Sequence, residues 1–279
     1  MSQASVSSLF RHIEMLQADT PWGRFLDAGA GVNSALWGLN LHTEAWVGVT
    51  ASAAHAAQIR DSLGAALRPN DRLMVSNWTD PALLRGEVFD TVLADYLLGA
   101  IEGFSPYFQG RLFHRLAPHV GTRLYMVGLD PYVVGEASGA AGLMVRSIGR
   151  FRDACLLLAE ETPYREYPAE WVVEQLGQAG FIIESARRFP NRYLEKWVDG
   201  QIDMGLRRVA KIPDGALAGG LRRRGERLRQ DALALCRQEG GLRHGADYVI
   251  SARPSQDAQT RSPLASTPNG RVRRRRTGA

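Results

Sequence analysis

The stretch Phe25-Leu26-Asp27-Ala28-Gly29-Ala30-Gly31-Val32-Asn33-Ser34 decides the fold class. Two apolar residues and an Asp run into a loop with glycine at positions 29 and 31, and apolar residues at helical spacing follow. The pattern is that of a strand, a tight loop and a helix. Glycine lets a ligand approach the main chain without meeting a Cβ, and the free N–H groups that begin the helix favour an anionic group. A tight turn with no ligand is the alternative.

The spacing of the residues around such a glycine loop distinguishes two classes of ligand. A dinucleotide fingerprint would read G-x-G-x-x-G/A, with an acidic residue at the end of the second strand. Here the third small position is Ser34, and the second predicted strand, residues 45–50, ends at Thr50. An Asp before the first glycine, as in Asp27-Ala28-Gly29-Ala30-Gly31, instead resembles motif I of the class I S-adenosyl-L-methionine (SAM) dependent methyltransferases. The resemblance implies SAM as the cofactor.

Composition is that of an ordinary globular protein, with 45% hydrophobic and 23% charged residues in 279. The net charge is +5, but five arginines lie within residues 271–276, so the rest is near neutral and nucleic acid is an unlikely partner. Cys155 and Cys236 form no disulfide framework, and no leader or long apolar run is visible, so we expect a cytoplasmic protein without a membrane span. No group of side chains has metal-ligand spacing, so we predict no metal.

Strands and helices alternate along the chain, which predicts an α/β fold with parallel strands. The strands are predicted at 24–28, 45–50, 72–76, 89–94 and 122–128, and the helices at 33–40, 52–66, 80–85 and 106–117. The resemblance implies a Rossmann-like, mostly parallel sheet of seven strands, with helices on both faces, an antiparallel last strand and helical insertions over the substrate side. Ligands of such sheets bind at the carboxyl ends of the strands.

The remaining segments complete one methyltransferase domain over residues 1–254. A helix within 1–20, capped by Ser7-Ser8, either lids the cofactor or packs on the sheet. Helical insertions are predicted at 131–165, with a helix at 143–161, and at 190–242, with a basic helix at 221–238. Between and after them come a helix at 168–179 and strands at 181–186 and 247–252. Residues 255–279 are predicted to be a disordered basic tail.

The turn after the second strand carries further cofactor candidates. Most class I methyltransferases place an acid where Thr50 stands. The run Gly48-Val49-Thr50-x-Ser52 is similar to the cyclopropane fatty acid synthase and tocopherol methyltransferase branch, in which a Gln assists the Thr. His55 is the corresponding side chain here, and with Ala51 it completes this part of the predicted site. Helix capping by Thr50 and Ser52, and a solvated His55, are the alternatives.

Adenine contacts are predicted after the third strand, in Ser76-Asn77-Trp78. The family has a polar side chain followed by an apolar one here. Asn77 offers a carbonyl oxygen for the adenine amino group, and Trp78 offers a face for stacking. A core position is the alternative for Trp78.

The fourth strand delivers Asp95 and Tyr96, the predicted catalytic residues. Nucleic-acid amino methyltransferases carry two prolines at this point, and Asp95-Tyr96-Leu97-Leu98 has none, which argues against base methylation. Asp95 is predicted to be a base, an amine anchor or a cofactor contact, or else to bond the loop backbone. The further candidates for contact with the methyl acceptor are Tyr107, His114 and Tyr132, with His119 as a reserve. For His114 the alternative is a position on the solvent-exposed face of a helix.

Together these residues predict a SAM-dependent methyltransferase acting on N, O or S of a soluble small molecule. The cofactor residues are predicted to be Asp27, Ala28, Gly29, Gly31, Asn33, Thr50, Ala51, His55, Asn77, Trp78 and Asp95. Three alternatives stay open. They are an RNA methyltransferase that uses the arginines of 222–229 and 271–276, an NAD(P) oxidoreductase, and a catalytically silent SAM-binding protein. The basic helix is predicted to be a solvated face, with a homodimer contact as one alternative.

Overall fold

The computed structural model describes residues 7–255, in which seven strands form one sheet in the order β3-β2-β1-β4-β5-β7-β6. Pairing is parallel from β3 through β5, whereas β7 is antiparallel to both β5 and β6. The strands are β1 (Arg24–Asp27), β2 (Ala45–Thr50), β3 (Arg72–Val75), β4 (Phe89–Asp95), β5 (Val120–Leu129), β6 (Phe181–Tyr193) and β7 (Leu242–Pro254). The predicted mostly parallel sheet with an antiparallel last strand is confirmed.

Helices surround this sheet. They are α1 (Ser8–Gln17), α2 (Val32–Leu39), α3 (Ala53–Leu63), α4 (Leu97–Ala100), α5 (Gln109–Leu116), α6 (Gly139–Leu158), α7 (Ala169–Gln178), α8 (Glu195–Val209) and α9 (Gly215–Glu239), with short 3-10 turns at Gly64–Ala66, Ile101–Gly103 and Ala117–His119. Within residues 7–255, no helix combines the length and the apolar character needed to cross a bilayer. In the same range, His, Cys, Asp and Glu nowhere gather in a group of three that could hold a metal ion.

Alternation along the strands sends neighbouring side chains to opposite faces of the sheet, and each face has its own apolar cluster. Leu26 and Val92 pack with α5 and α7 on one face. Phe25 and Leu93 pack with α1, α2 and α3 on the other face. The parallel strands are therefore buried on both sides, as their near-continuous apolar sequence predicts.

A third apolar cluster joins α6, α8 and α9 at the end of the long antiparallel pair β6–β7. Its glycines permit close approach of the helices, since a Cβ on Gly205 would lie 2.9 Å from the Phe151 ring and one on Gly225 would lie 2.7 Å from it. The segment 190–242 thus holds two helices, and β6 and β7 extend beyond the predicted 181–186 and 247–252 because they pair with each other over their whole length.

The N-terminal helix α1 packs on the sheet. The Ser7 hydroxyl caps it by accepting a hydrogen bond from the Phe10 N–H at 3.2 Å. The Phe10 ring stacks on Trp37 at 4.4 Å between centroids, and Ile13 is completely buried. Two roles were predicted for this helix, a lid over the cofactor and packing on the sheet, and this geometry supports packing.

Three predicted helices differ from the structure. The basic helix predicted at 221–238 begins earlier, at Gly215, because the Asp214 carboxylate caps it there. The helix at 80–85 is wrong, because residues 81–86 form turns in which Leu84 has a φ of +55° and the Asp80 carboxylate accepts from the Ala82 N–H at 2.8 Å. The helix at 106–117 begins later, at Gln109, because Tyr107 has a φ of +66°. Side-chain hydrogen bonds and left-handed residues thus favour turns over helix here. The predicted tail, apart from residue 255, lies outside the described residues.

Candidate active site

A cleft of about 200 Å³ opens at the carboxyl ends of β1, β2, β3 and β4. The predicted residues that line it are Ala28, Gly29, Gly31, Thr50, Ala51, His55, Asn77, Trp78, Asp95 and Tyr96. These residues come from four separate turns, and the sheet brings them together because parallel strands end at the same edge.

The glycine loop forms the floor of the cleft and is held on both sides. The Ala28 N–H donates to the Leu93 carbonyl on β4, and the Ala30 N–H donates to the Val49 carbonyl on β2, each at 2.8 Å. A Cβ on Gly29 would lie 2.9 Å from the Leu97 Cβ, whereas a Cβ on Gly31 would meet nothing within 4 Å. Gly29 is therefore required by packing. Gly31 leaves open space where a ligand can approach the backbone.

Asp27 lies beneath this loop, fully buried and with an unusual environment. Neither of its carboxylate oxygens has a hydrogen-bond partner of good geometry among the described residues, although the Ser34 hydroxyl and the Gly29 N–H lie close enough to favour its charged form. Burial dominates and, with the nearby Asp95 carboxyl, raises the pKa of Asp27 to about 8. An unpaired buried carboxyl of this kind is suited to a cationic ligand in the cleft above it.

Asp95 and Tyr96 enter the cleft from the end of β4. Burial, reinforced by the Asp247 carboxyl, raises the pKa of Asp95 to about 7. Tyr96 adopts the left-handed conformation, with a φ of +49°, while its N–H donates to the Val127 carbonyl at 3.0 Å and its hydroxyl lies near the Asp247 carboxyl. Left-handed backbone costs a non-glycine residue free energy and is concentrated at functional sites.

Thr50, Ser52 and His55 form the rim of the cleft at the start of α3. Thr50 is buried and lines the cleft, and its hydroxyl accepts weakly from the Ser52 N–H at 3.4 Å. The Ser52 hydroxyl accepts from the His55 N–H at 3.2 Å, so Ser52 caps α3. The imidazole of His55 stays exposed at the edge.

Asn77 and Trp78 follow β3 and make unexpected internal bonds. The Asn77 carbonyl oxygen accepts from the Thr79 N–H and hydroxyl and from the Ser105 hydroxyl, at 2.9 to 3.0 Å. An adenine amino group would compete with these donors. Trp78 is buried, and its indole N–H donates to the Ala28 carbonyl at 2.7 Å, so it supports the glycine loop as well as lining the cleft.

Five predicted site residues do not line the cleft. Asp27 lies below it, and Asn33 is exposed on the first turn of α2. Tyr107 is 83% exposed, and His114 lies on the wet face of α5. Tyr132 is buried against α6 and α8, where its hydroxyl accepts from the Arg152 guanidinium at 2.6 Å. The reserve His119 is also a structural residue, bonded to the Glu87 carbonyl and the Arg115 guanidinium.

Sequence reasoning missed two aromatic residues of the cleft, Phe104 and Tyr164. Tyr164 comes from the segment after α6, which is tied to the cleft where the Arg165 N–H donates to the Gly99 carbonyl at 3.3 Å. Sixty-odd residues separate this tyrosine from β4, and no local motif marks it. The folding of the insertion alone brings it to the site.

Comparison with solved structures bears on this arrangement. The cyclopropane synthase MmaA2 from Mycobacterium tuberculosis superposes with a TM-score of 0.52 at 16% identity, covering 90% of this chain and 87% of that one. The chain has the class I methyltransferase fold. A candidate methyltransferase from Bacillus halodurans C-125 gives a TM-score of 0.56 at 11% identity, over 89% and 99% of the two chains. The YcgJ protein from Bacillus subtilis gives 0.54 at 13%, over 88% and 97%.

These similarities confirm the fold that motif I implied, from its glycine loop to its antiparallel last strand. None of the known family models matches the sequence, and no curated protein matches it either. At such low identity the likeness concerns the fold, so the chemistry of the site has to be argued from its own residues.

Proposed function

We propose that this chain is a SAM-dependent methyltransferase that transfers a methyl group to N, O or S of a small molecule. The observation that carries the proposal is the open glycine loop above the buried, unpaired carboxyl of Asp27. SAM carries a sulfonium and an ammonium group, and two carboxyl groups of raised pKa, Asp27 and Asp95, flank this loop. A cationic ligand would stabilise the charged forms of both. Structures that share the fold include a cyclopropane synthase solved with S-adenosylhomocysteine (SAH), the demethylated form of SAM.

When bound, SAM supplies an electrophilic methyl group whose carbon–sulfur bond breaks with the electron pair left on sulfur. The protein's part is to hold an acceptor in line and, for a protonated acceptor, to take a proton. The loop of Gly29 and Gly31 and the Thr50 hydroxyl would hold the cofactor. Asp95 would receive the proton, since it lines the cleft and its pKa of about 7 leaves it divided between its two forms near neutrality.

The alternatives have less support. Exposed arginines such as Arg222 and Arg223 lie on α9, and of the described residues none from α9 lines the cleft, which gives no support to an RNA substrate. A dinucleotide would meet no acid at the end of β2, where Thr50 stands, while the carboxyl of Asp95, which lines the cleft, would oppose its phosphates. Charge therefore favours SAM over NAD(P).

Calorimetric titration with SAM, SAH and NADPH tests the cofactor. We expect the wild type to bind SAM and SAH and not NADPH. Gly31→Val adds a side chain to the cleft at a backbone conformation that Val accepts (φ −119°, ψ 173°), and should weaken SAM binding at least tenfold without loss of thermal stability. Gly200→Val, at an exposed position on α8 where a Cβ also meets nothing, is the matched control. NADPH binding, or equal SAM affinity in both variants, would contradict the proposal.

Transfer itself needs a second assay, because a silent SAM-binding protein would pass the first. Incubation with methyl-labelled SAM and a small-molecule extract should yield labelled products with wild type and few with Gly31→Val. Absence of any labelled product from a protein that binds SAM would favour the silent alternative.

A further inference from the structure

A second, smaller cavity of about 60 Å³ adjoins the cleft at Tyr96. Tyr96, Ala100 and Tyr164 line both spaces, so they are neighbours with a shared wall. One water molecule takes up roughly 10–15 Å³ of such a cavity volume, so the cavity holds about four to six non-hydrogen atoms. It is too small for a ring system and suits a compact end group.

Four tyrosines line the cavity. Besides Tyr96 and Tyr164, the rings of Tyr167 and Tyr248 line it. The Tyr248 hydroxyl donates to the Tyr167 carbonyl at 3.1 Å, which fixes one ring. Gly128 makes room for that ring, because a Cβ there would lie 2.3 Å from the Tyr248 hydroxyl. Several aromatic faces around a small space are the arrangement that recognises ammonium groups.

Three carboxyl groups lie at this cavity or beside it. Glu166 lines the cavity, Asp95 lines the adjoining cleft, and the Asp247 carboxyl lies near the Tyr96 hydroxyl. Within residues 7–255, none of these three forms an ion pair with an arginine, lysine or histidine.

The neighbouring arginines are already paired with other acids. Arg152 contacts Asp153 at 2.6 Å, Arg165 contacts Glu102 at 3.6 Å, and Arg188 contacts Asp130 and Glu170, each at 2.6 Å. Arg152 favours the charged form of Glu166, but it has its own partner in Asp153. The unpaired acids therefore select for a positively charged ligand and against an anionic one.

Building on the proposed function, we propose that this tyrosine-lined cavity receives a protonated amine, which is the methyl acceptor. Its ammonium group is held among the tyrosine rings with Glu166 as the counter-charge. The nitrogen becomes a nucleophile only after it gives one proton to a carboxylate, and Asp95, which lines the adjoining cleft next to Tyr96, accepts it. The lone pair left on nitrogen then forms the new bond to the methyl carbon, while the bond from that carbon to sulfur breaks and leaves its electron pair on sulfur.

The test compares two probes of five non-hydrogen atoms each, the tetramethylammonium ion and the neutral tert-butanol. Binding is measured by ligand-observed NMR with the full chain, alone and with SAH. We expect tetramethylammonium to bind at least tenfold more tightly than tert-butanol. Glu166→Gln should weaken tetramethylammonium binding about tenfold and leave tert-butanol unchanged. Glu170→Gln, on the exposed side of α7 and outside the cavity, is the control and should change neither.

Tyr164→Leu provides a second variant at a half-exposed position, where folding is not at risk. It removes one aromatic wall and should lower the affinity for tetramethylammonium several-fold. Equal affinity for the two probes, or wild-type cation binding by both Glu166→Gln and Tyr164→Leu, would overturn the inference. SAH binding without cation selectivity would contradict the proposed amine acceptor and leave the proposed methyltransferase function intact. Cation selectivity without SAH binding would support the cation site but contradict the methyltransferase function, and with it the role of the amine as methyl acceptor.

Discussion

Replacing Asp27 by Asn removes one buried titratable group without changing its shape. In the ligand-free wild type, burial raises the pKa of Asp27 from 3.8 to about 8. Between these values the unfolded chain has lost the proton and the folded protein retains it. The contribution of Asp27 to stability is therefore greatest below pH 3.8 and is lost as the pH rises towards 8.

The size of the effect follows from the proton count. One proton held by the folded state and not by the unfolded state changes the free energy of unfolding by about 1.4 kcal/mol per pH unit. Between roughly pH 5 and pH 7, the stability of the wild type relative to Asp27→Asn should fall by about 2.5 kcal/mol. Asp95 also titrates, but its pKa is raised by burial and by Asp247, so it contributes similarly to both proteins.

Urea unfolding followed by tryptophan fluorescence at pH 5, 6 and 7 measures this difference. Parallel pH profiles for the two proteins would refute the reasoning, since they would mean that Asp27 is ionised in the folded state. Asp95→Asn is the matched comparison, because it removes the neighbouring carboxyl at the cleft surface.

The same protonation state can be followed on binding. If SAM favours the ionised form of Asp27, wild-type protein should release close to one more proton than Asp27→Asn when SAM binds near pH 7. Calorimetry in buffers of different ionisation enthalpy counts these protons. Equal release by the two proteins would separate Asp27 from cofactor binding.

Three further outcomes are expected from single substitutions around the cleft. Gly29→Ala places a Cβ 2.9 Å from the Leu97 Cβ and should destabilise the protein by about 1–3 kcal/mol in urea unfolding, as overpacked sites do; an unchanged midpoint would show that Leu97 yields freely. Trp78→Phe leaves the Ala28 carbonyl without its indole donor and should cost about 1–3 kcal/mol in the same assay, in excess of any loss in packing. If Asp95 accepts the proton, methyl transfer at limiting substrate should be about tenfold slower at pH 6 than at pH 8 because of its pKa of about 7, and Asp95→Asn should abolish that dependence; a profile shared by both proteins would remove Asp95 as the base.

Local patterns predicted the strands and the glycine loop because each depends on neighbours in sequence. Buried parallel strands such as 45–50 and 89–94 are short apolar runs, and Gly29 and Gly31 sit where a strand turns into a helix. The helix at 80–85 failed for a reason that is equally local. The Asp80 side chain offers the backbone a turn, which competes with helix at little cost.

Predictions about the roles of side chains were less accurate where the hydrogen-bond partner lies far away in the sequence. Asn77 looked free to accept from adenine, yet the Ser105 hydroxyl, contributed by a loop 28 residues away, occupies its oxygen. Tyr132 looked available to a substrate, yet α6 brings Arg152 to its hydroxyl. Neither partner could be assigned from the sequence, since which side chains meet depends on how the insertions pack.

The sequence by itself determined the alternation of strands and helices, the glycine loop behind Asp27 and the acidic end of β4, because strand periodicity and turn chemistry act over a few residues. Only the tertiary structure decided that Asp27 is buried without a partner and that Tyr164, Glu166 and Tyr248 gather beside Tyr96. Burial and charge balance are properties of the packed whole. They depend on segments far apart in the chain, and no stretch of sequence carries them alone.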